Sequence, residues 1–415
     1  MTVTERTGQS AMQSVDSYLS EVLAAIRPLP PRELGLDEAD GAVLTGDVAA
    51  AWPLPPFDNS AMDGYAVVAA DIAAATPERP VTLPVRGEVA AGDTRRHELA
   101  AGGCLKIMTG ALLPPGADAV VPVEWTDDGP AGGQVAITRP AAPGNAIRRA
   151  GDDAAVGDVL LTAGTRIGPV QLGLLAAAGH GTVTARPRPR VTLISTGNEL
   201  AEPGRPVAPG QIWESNSRML AAAARQAGFT ARRHPIVPDD KATVLATIDD
   251  ALADADLLVT TGGVSMGGEH DVIKAALADL GTVGFRKVAM QPGMPQGFGM
   301  VGPAGTPIFT LPGNPVSAYV SFQLFVRPVA SVFQGLDFER PVSRRAVLAA
   351  SVRSPKQRRS FLRGILDAEN GAVAPVSGQA SHQLASLARA NALVVVPESV
   401  TELAEGAEVE VLELP

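Results

Sequence analysis

The chain has 415 residues, 46% apolar and 19% charged, with a formal net charge of -10 and one cysteine. This length exceeds a typical domain of about 100–150 residues, so several domains are expected, each able to bury a core. The negative charge argues against binding to nucleic acid, no run approaches the roughly 18 uninterrupted apolar residues of a membrane span, and a lone cysteine excludes an internal disulfide and a thiolate metal site.

The N-terminus and Cys104 indicate a cytoplasmic protein. Residues Met1 to Met12 are polar and lack the basic start, apolar run and cleavage site of a secretory signal. Cys104 is best explained as a small buried apolar residue. We therefore expect the protein to remain in a reducing cytoplasm.

The first half of the chain is predicted to be mainly β. Residues 14–26 have apolar side chains at helical spacing, and three prolines end that helix before residue 32. Residues 53–151 contain short valine-rich strands between turns. Residues 152–182 form a connector in which Pro169 can start a helix. We assign 14–52 and 152–182 to a connecting domain and 53–151 to a β domain.

The second half alternates between apolar strands and amphipathic helices, which is typical of a parallel sheet covered on both faces. Its arginine-rich start, Arg186 to Arg190, is interpreted as structural. The predicted strands are 191–195, 233–237, 257–261 and 308–311, and the predicted helices are 216–227, 240–253, 272–280 and 315–333. We assign 183–333 to an α/β domain and 334–415 to a C-terminal domain like a β-barrel. The predicted fold class is a multidomain α/β protein with a central parallel-sheet domain flanked by mainly β domains.

Three loops of the α/β domain follow strands at the edge where such folds bind ligands. The first, 196–199, presents the carboxylate of Glu199, for which a magnesium role is one interpretation. The second, 262–271, is rich in glycine and resembles a phosphate cradle, although it matches neither a Walker A loop nor GxGxxG. The third, 311–315, places Asn314 and Pro315 at a helix start. For the second loop a plain glycine-rich turn is an equal alternative, and for the third loop, taken alone, a well-built helix start is the preferred interpretation.

In the first half, residues 57–65 (FDNSAMDGY) combine two carboxylates with small polar side chains. That density indicates a site, but an Asx-rich turn is an equal alternative. Thr109 lies at a predicted strand end, and residues 148–153 could form surface ion pairs. The basic run 356–363 is either a solvated surface or a place that gathers an anionic small molecule.

Six segments, in this order, resemble the MoeA family and the related E domain of gephyrin. They are FDNSAMDGYA, KIMTGA, IRRAGDD, STGNEL, GGVSMGGEHD and LPGNPVSA. The resemblance runs from about residue 15 to the end. It implies an elongated homodimer of four-domain subunits, in which a molybdopterin-binding α/β domain and the first-half domain of the partner share the active site.

The resemblance also implies an activity: insertion of molybdenum from molybdate into adenylylated molybdopterin with release of AMP, in molybdenum cofactor biosynthesis. A molybdopterin adenylyltransferase would be the pathway partner, and neither nucleic acid nor membrane would take part. The matching motifs imply that the following residues line the active-site cleft: Asp63, Thr109, Arg148, Asp153, Glu199, Asp271, Lys287, Arg363 and Ser381.

Each group has an expected role in handling anions. Glu199 and Asp271 are expected to hold Mg²⁺, and Lys287 and Arg363 to screen negative charge. Asp63 would orient the reacting groups, while Thr109, Arg148 and Ser381 are candidates for the oxyanion site and Asp153 lines the cleft. The residues expected to cradle the nucleotide and pterin are Gly262, Gly263, Ser265, Gly267, Pro312, Gly313, Asn314 and Pro315.

The chain departs from the family pattern at two positions. Many members have lysines where this chain has Gln291 and Met294, so the cleft loses cationic groups. Weaker anion binding, compensation by a residue such as Arg286, or a paralogue with altered activity could follow.

Alternatives remain at this point. One is a scaffold or carrier that binds molybdopterin without turnover, for which an accompanying second cofactor-synthesis domain would be expected and is not found in this sequence. Another is a nucleotide-binding adenylyltransferase, against which the extra domains and FDNSAMDGYA argue. A dehydrogenase lacks its GxGxxG pattern, and the five histidines show no zinc-ligand spacing.

Overall fold

The structure is a computed structural model that describes residues 12–127, 133–263, 272–278, 281–338 and 341–415. The predicted site residues Ser265, Gly267 and Asp271 lie outside the described residues. The chain forms two compact units. We call Glu33–Asp40 with Leu44–Ala185 the β unit, and Met1–Arg32 with Gly41–Val43 and Arg186–Pro415 the α/β unit.

The β unit is built around a mixed six-stranded sheet, as the short valine-rich runs predict. In sheet order its strands are Ala119–Pro122, Gly64–Val67, Cys104–Ile107, Val81–Val89, Gln134–Ile137 and Thr126–Asp127. Small two- and three-stranded sheets use the strands Arg32–Gly35, Val43–Leu44, Val48–Ala49, Asn59–Ser60, Ile147–Arg148, Val159–Leu161 and Thr182–Arg186. Short 3-10 helices lie at Leu36–Glu38, Ala69–Ile72 and Val123–Trp125.

One α-helix, Pro169–Ala177, belongs to the described part of the β unit, and Pro169 starts it as predicted. The helix is strongly apolar, yet Leu175 is its one buried residue. Val170 is 78% exposed. The helix therefore presents apolar side chains outward from its own unit.

The α/β unit has a six-stranded sheet that is mixed and not purely parallel. In sheet order its strands are Thr230–Arg233, Arg190–Ser195, Leu257–Thr261, Thr306–Leu311, Pro295–Val301 and Val283–Lys287. The first four are parallel, and the last two pair antiparallel. Two expectations were wrong in detail: the strand predicted at 233–237 lies at Thr230–Arg233, and the antiparallel strands were missed.

Both faces of this sheet are buried, as predicted. Alternate residues of the strand Leu257–Thr261 enter different cores: Leu257 and Val259 pack into one core and Leu258 into the other. Helices Asn216–Gln226 and Pro315–Ser321 contribute to the first core, and helices Lys241–Leu252 and Val272–Ala278 to the second. The central strands Leu257–Thr261 and Thr306–Leu311 are therefore buried along their whole length, whereas the edge strand Thr230–Arg233 is polar and partly exposed.

The helix predicted at 315–333 has three parts. It runs as α-helix over Pro315–Ser321, as π-helix over Phe322–Val326 and as α-helix over Val329–Phe333. By length and composition Pro315–Phe333 could cross a membrane, but 83% of its most apolar stretch is buried inside the structure. Its apolar character is therefore explained by packing in the core.

The N-terminal helix, Val15–Ala25, is capped by Ser14, whose hydroxyl accepts a hydrogen bond from the Ser17 amide at 3.2 Å. Its apolar face enters the first core, where Tyr18 makes an edge contact with Phe325 at 4.8 Å between ring centroids. The helix predicted at 14–26 is therefore confirmed.

The C-terminal part forms a closed β-barrel. Five strands follow one another round the barrel: Arg359–Asp367, Ala372–Pro375, Ser343–Leu348, Glu408–Glu413 and Ala392–Val396, which pairs again with Arg359–Asp367. The strand Met290–Gln291 adds to its edge beside Arg359. The C-terminal part also has the strand pair Val352–Arg353 with Glu402–Leu403 and the helix Leu384–Ala388, and the α/β unit has a further strand pair, Leu200–Ala201 with Ile212–Trp213.

Candidate functional site

Three motif segments that are distant in sequence meet in the β unit. The strand Asn59–Ser60 pairs with Ile147–Arg148, and the Ser60 carbonyl accepts a hydrogen bond from the Gly110 amide at 2.8 Å. Three segments therefore lie side by side in the β unit: FDNSAMDGYA, KIMTGA and IRRAGDD. Gly64 is required there because a Cβ would collide with the carbonyl oxygen of Val121.

Asp63 and Thr109 are directly bonded. The Asp63 Oδ1 accepts hydrogen bonds from both the amide and the hydroxyl of Thr109, each at 2.7 Å. These two bonds hold the pKa of the Asp63 carboxyl below its usual range. Asp63 is exposed, so the site presents an ionised carboxylate to a ligand.

Arg148 and Arg149 differ in their partners. The Arg149 guanidinium contacts the Asp58 carboxylate at 2.6 Å, and the Ala150 amide donates to the same carboxylate at 2.9 Å. Arg148 is exposed, and its Nη2 makes one long contact of 3.5 Å with the Ala61 carbonyl among the described residues. Arg149 is therefore structural, whereas the charge of Arg148 is free for an anion.

Asp153 lies beside a cavity of about 530 Å³ in the β unit. Its backbone amide donates to the Leu54 carbonyl at 2.9 Å, which fixes the main chain at this position. The cavity is also lined by Asp158, Val159, Leu160 and Leu174. Asp153 and Asp158 thus place carboxylates in a cleft whose other lining residues are apolar, and Asp63 and Thr109 are not among its lining residues.

In the α/β unit the three predicted loops converge at the carboxyl edge of the sheet. The Thr196 amide donates to the Thr261 carbonyl, and the Gly262 amide donates to the Leu311 carbonyl, each at 3.3 Å. A Cβ on Gly262, whose φ is +95°, would come within 2.8 Å of the Thr196 carbonyl oxygen. Glycine is therefore needed where the first two loops approach each other.

Asn216, at the start of a helix, joins the second loop to the third. Its Nδ2 donates to the Thr261 hydroxyl at 2.9 Å and to the Gly313 carbonyl at 2.7 Å. Both hydrogens of the amide are therefore used, and Oδ1 is buried without a hydrogen-bond partner among the described residues.

Asn314 takes the predicted N-cap position but does not cap its own helix. Its Nδ2 donates to the Ser381 hydroxyl at 3.0 Å, and the Ser381 carbonyl accepts from the Val316 amide at 3.1 Å. The third loop and Ser381 therefore lie side by side, so two predicted groups from distant parts of the sequence meet.

Arg363 is fully buried, at 0% exposure. Its guanidinium donates to the carbonyls of Gly378 and Ala380 and to the Ser386 hydroxyl. Nη1 has no partner, and no carboxylate among the described residues pairs with this cation. Burial lowers the pKa of Arg363, but an arginine remains charged at neutral pH. The interpretation of run 356–363 as solvated surface is wrong at this position, and a buried cation without a counterion favours binding of an anion.

Glu199 is exposed and folds back over Gly197. It forms no ion pair with another described residue, so its carboxylate is available to a cation. No group of three or more His, Cys, Asp or Glu side chains that could hold a metal ion occurs among the residues that the structure describes.

Lys287 is exposed at the end of a strand, next to the segment that carries Gln291 and Met294. Arg286, considered as a compensating cation, instead approaches Glu21 at 3.8 Å. Arg286 is therefore paired with a carboxylate, which argues against its role as the compensating cation.

Comparison with known proteins matches three consecutive family models to this chain. They are described as "MoeA N-terminal region (domain I and II)" over residues 13–179, "Probable molybdopterin binding domain" over 192–331 and "MoeA C-terminal region (domain IV)" over 345–414. The chain belongs to the MoeA family. The resemblance in the six motif segments is confirmed.

Relatives within the MoeA family match along most or all of their length. Molybdopterin molybdenumtransferase 2 of Mycobacterium tuberculosis H37Rv is 48% identical over 97% of this chain and 100% of its own. Molybdopterin molybdenumtransferase of Bacillus subtilis is 36% identical over 91% and 89%. The solved molybdopterin biosynthesis moeA protein from Pyrococcus horikosii superposes with a TM-score of 0.72 at 33% identity, covering 97% of this chain and 99% of that one.

The MoeA motifs did not point to a buried network behind the first loop. Glu214 is 1% exposed and accepts hydrogen bonds from the hydroxyls of Ser195 and Ser217, each at 2.9 Å. Arg233 approaches it at 3.6 Å. The spacing of Glu214 three residues before Ser217, at a helix start, was the available clue, because it resembles a capping arrangement.

Proposed function

We propose that this protein is a molybdopterin molybdenumtransferase, which inserts molybdenum from molybdate into adenylylated molybdopterin and releases AMP. The carrying observation is the identity of 48% with a relative of that name over 97% of the chain. The buried, uncompensated Arg363 supports a site for anions, which both substrates are.

The proposed reaction balances as two exchanges. Two Mo–S bonds form to the dithiolene of the pterin, whose two thiol protons leave with one molybdate oxygen as water. A water cleaves the bond between the two phosphates, and AMP leaves. Thr109, Arg148 and Ser381 would bind oxyanion oxygens, and Arg363 would screen negative charge. The loops at Gly262 and Gly313 would accept the nucleotide and pterin, and Asp63 would orient the reacting groups.

Magnesium is the proposed cofactor. The exposed carboxylate of Glu199 fits an oxygen-preferring cation, and Asp271 is the proposed second ligand. When bound, the ion would neutralise charge on the phosphates. Glu199 would contribute by presenting its carboxylate at the edge of the sheet where the loops converge.

A homodimer is proposed to unite the two sets of residues, with Asp63, Thr109, Arg148 and Asp153 of one subunit facing the loops of its partner. The apolar helix Pro169–Ala177 supports this proposal, because Val170 is 78% exposed and a second copy would cover it. Sedimentation of the wild type against Val170→Glu tests it: we expect a dimer that the charge weakens. A monomeric wild type at micromolar concentration would refute it.

The proposed setting is the cytoplasm, downstream of a molybdopterin adenylyltransferase. The lone buried Cys104 agrees with a reducing compartment. Fractionation of cells followed by immunoblotting tests the location, and co-purification with the adenylyltransferase tests the partnership.

Incubation with adenylylated molybdopterin, Mg²⁺ and molybdate tests the activity, with AMP release and reconstitution of a cofactor-free molybdoenzyme as readouts. We expect molybdate-dependent AMP release together with reconstitution. Tight binding without turnover would instead indicate a carrier, and absence of binding would refute the proposal.

A further inference from the structure

A buried carboxylate lies behind the loop that carries Glu199. The Oε1 of Glu214 accepts hydrogen bonds from the Ser195 hydroxyl at 2.9 Å and from the Ser217 amide at 2.6 Å. Its Oε2 accepts from the Ser217 hydroxyl at 2.9 Å. The Arg233 guanidinium lies 3.6 Å away and supplies the opposite charge. A carboxylate can remain buried when it is paired and hydrogen-bonded in this way, and the groups that donate to it are then held in one orientation.

The first loop is held on both sides by this residue. The Glu214 side chain binds Ser195, which immediately precedes the loop, and the Glu214 amide donates to the Ala201 carbonyl at 2.8 Å. Beside it, the Ile212 amide donates to the Glu199 carbonyl at 2.8 Å. The main chain that presents the Glu199 carboxylate is therefore fixed before and after the loop by contacts of one buried residue and its neighbour.

The contact with Ser217 extends the network to the other two loops. Ser217 follows Asn216 at the start of a helix, and Asn216 donates to the Thr261 hydroxyl at 2.9 Å and to the Gly313 carbonyl at 2.7 Å. Thr261 immediately precedes the second loop, and Gly313 lies in the third. Glu214 is therefore connected to all three loops, although it belongs to none of them.

A comparable carboxylate lies at the opposite end of the same strands. Asp256 accepts hydrogen bonds from the Arg190 amide at 2.8 Å and from the Arg190 guanidinium at 3.0 Å, and its side chain is 11% exposed. At the carboxyl end of these two parallel strands, Ser195 is paired in register with Thr261. The two carboxylates therefore have similar partners, but Glu214 lies beside the edge where the loops converge and Asp256 lies at the far edge.

We infer that Glu214 is a positioning residue for the candidate site. It holds the first loop directly, and the other two loops through Ser217 and Asn216, in the arrangement that binds adenylylated molybdopterin together with Mg²⁺. Supporting groups of this kind fix the residues that contact a ligand without contacting the ligand themselves. The inference rests on the proposed function and adds a residue that lies outside the six motif segments.

The test compares Glu214→Ala and Glu214→Gln with the control Asp256→Ala. Alanine removes all three hydrogen bonds, whereas glutamine keeps an oxygen for the Ser195 hydroxyl and the Ser217 amide, which both donate to Oε1. In calorimetric titrations with Mg²⁺ present, the Kd for adenylylated molybdopterin should rise about tenfold or more in Glu214→Ala, as for loss of other supporting residues. The rise should be smaller in Glu214→Gln, and Asp256→Ala should leave the Kd unchanged.

The stoichiometry of binding separates positioning from a general loss of stability. Partial unfolding lowers the number of binding sites per chain but leaves the Kd of the folded molecules unchanged, so that result for Glu214→Ala would overturn the inference. An equal rise in the Kd for Asp256→Ala would overturn it as well. If Glu214→Ala does not fold, Glu214→Gln takes its place, and an unchanged Kd in that variant would refute the inference.

Hydrogen exchange followed by mass spectrometry tests the positioning without a substrate. The Leu200 amide donates to the Gly197 carbonyl at 3.2 Å, so exchange in this segment reports on the first loop. Peptides covering 196–201 should exchange faster in Glu214→Ala than in the wild type or in Asp256→Ala, and equal exchange would refute the inference. If the wild type neither binds nor turns over the adenylylated pterin, the proposed function fails separately, and the exchange comparison still decides whether Glu214 holds the loop.

Discussion

One oxygen of Asp63 receives both hydrogen bonds that Thr109 can donate, from its amide and from its hydroxyl, at 2.7 Å each. The two residues are 46 positions apart, so this pair fastens two motif segments to each other. Because both bonds fall on Oδ1, Oδ2 remains for a ligand. The pair thus gives a carboxylate that is fixed in direction and ionised at neutral pH.

Asp63→Asn should lower molybdate-dependent AMP release by at least about 100-fold, the usual scale for loss of a group that acts on protons or positions them. The amide is of equal size, so thermal unfolding should change little. Asp118→Asn is the control, because the Asp118 carboxylate accepts from the Ala69 amide in the same unit. Equal rates for Asp63→Asn and wild type would exclude Asp63 from the reaction.

Arg363→Met should lower the stability of the fold and should abolish the stabilisation of the protein by a bound anion. Two carbonyls and the Ser386 hydroxyl lose their donor in a buried place, so we expect the free energy of unfolding to fall by roughly 2–5 kcal/mol. Molybdate should raise the Tm of the wild type through binding to the folded state, and this rise should disappear in the variant. The control Arg353→Met should retain the increase in Tm that molybdate causes. If Arg363→Met also retains this increase, Arg363 does not belong to an anion site.

Asn216→Asp should be more damaging than Asn216→Ala. The aspartate would place an acceptor against the Gly313 carbonyl, whereas alanine loses only the two hydrogen bonds, at a cost of about 1–3 kcal/mol. Urea unfolding at pH 7 should rank the variants in this order. The difference in free energy of unfolding between Asn216→Asp and Asn216→Ala should narrow below about pH 4, where an aspartic acid becomes protonated and can donate a hydrogen bond. A difference that stays constant with pH would disprove the role of the donor.

Cys104 should be unreactive in the native protein. It is fully buried, and burial raises the pKa of its thiol to about 11, so very little thiolate exists at pH 8. We expect no thiol to react with an aromatic disulfide reagent in buffer and one to react in denaturant. Rapid native labelling would show that the sheet of the β unit opens locally.

Asp93 should make stability depend on pH in the acidic range. Hydrogen bonds from the side chain and amide of Arg95, and then from His97, hold the pKa of Asp93 well below its usual range. A carboxyl with a lowered pKa stabilises the fold above its unfolded pKa near about 4, and this contribution is lost as the pH falls through the folded pKa. Urea midpoints of wild type and Asp93→Asn should therefore converge as the pH falls below about 4. A difference between the two urea midpoints that stays constant with pH would contradict this role of Asp93.

The central strands and the helices of the α/β unit were largely predictable from sequence, because strands covered on both faces are rich in apolar residues. The two antiparallel strands were missed because they carry Gly284, Gly297 and Gly299, which are typical of loops. The structure gives the reason for Gly299: a Cβ there would run into the backbone at Thr282 and Val283.

The site was predictable where a motif carries it and not where chain segments far apart in sequence meet. Nothing local to Arg363 separates it from Arg358 or Arg359, since all three lie in one basic run. Arg363 is buried, Arg358 lies beside an amide, and Arg359 lies between two carboxylates. These environments depend on which strands pair in the barrel. The four-domain division and the dimer remain predictions.

The segment between Lys287 and Gln291 is held by residues from the N-terminal region and from the C-terminal barrel. The Gln13 amide donates to the Lys287 carbonyl, and the Ala289 carbonyl accepts from the Arg359 amide at 2.9 Å. During synthesis residue 13 emerges first, but its partner strand is made more than 270 residues later and the barrel strand later still. Contacts so distant in sequence form late in folding. A nascent chain therefore cannot complete these contacts until the barrel strand Arg359–Asp367 has been made.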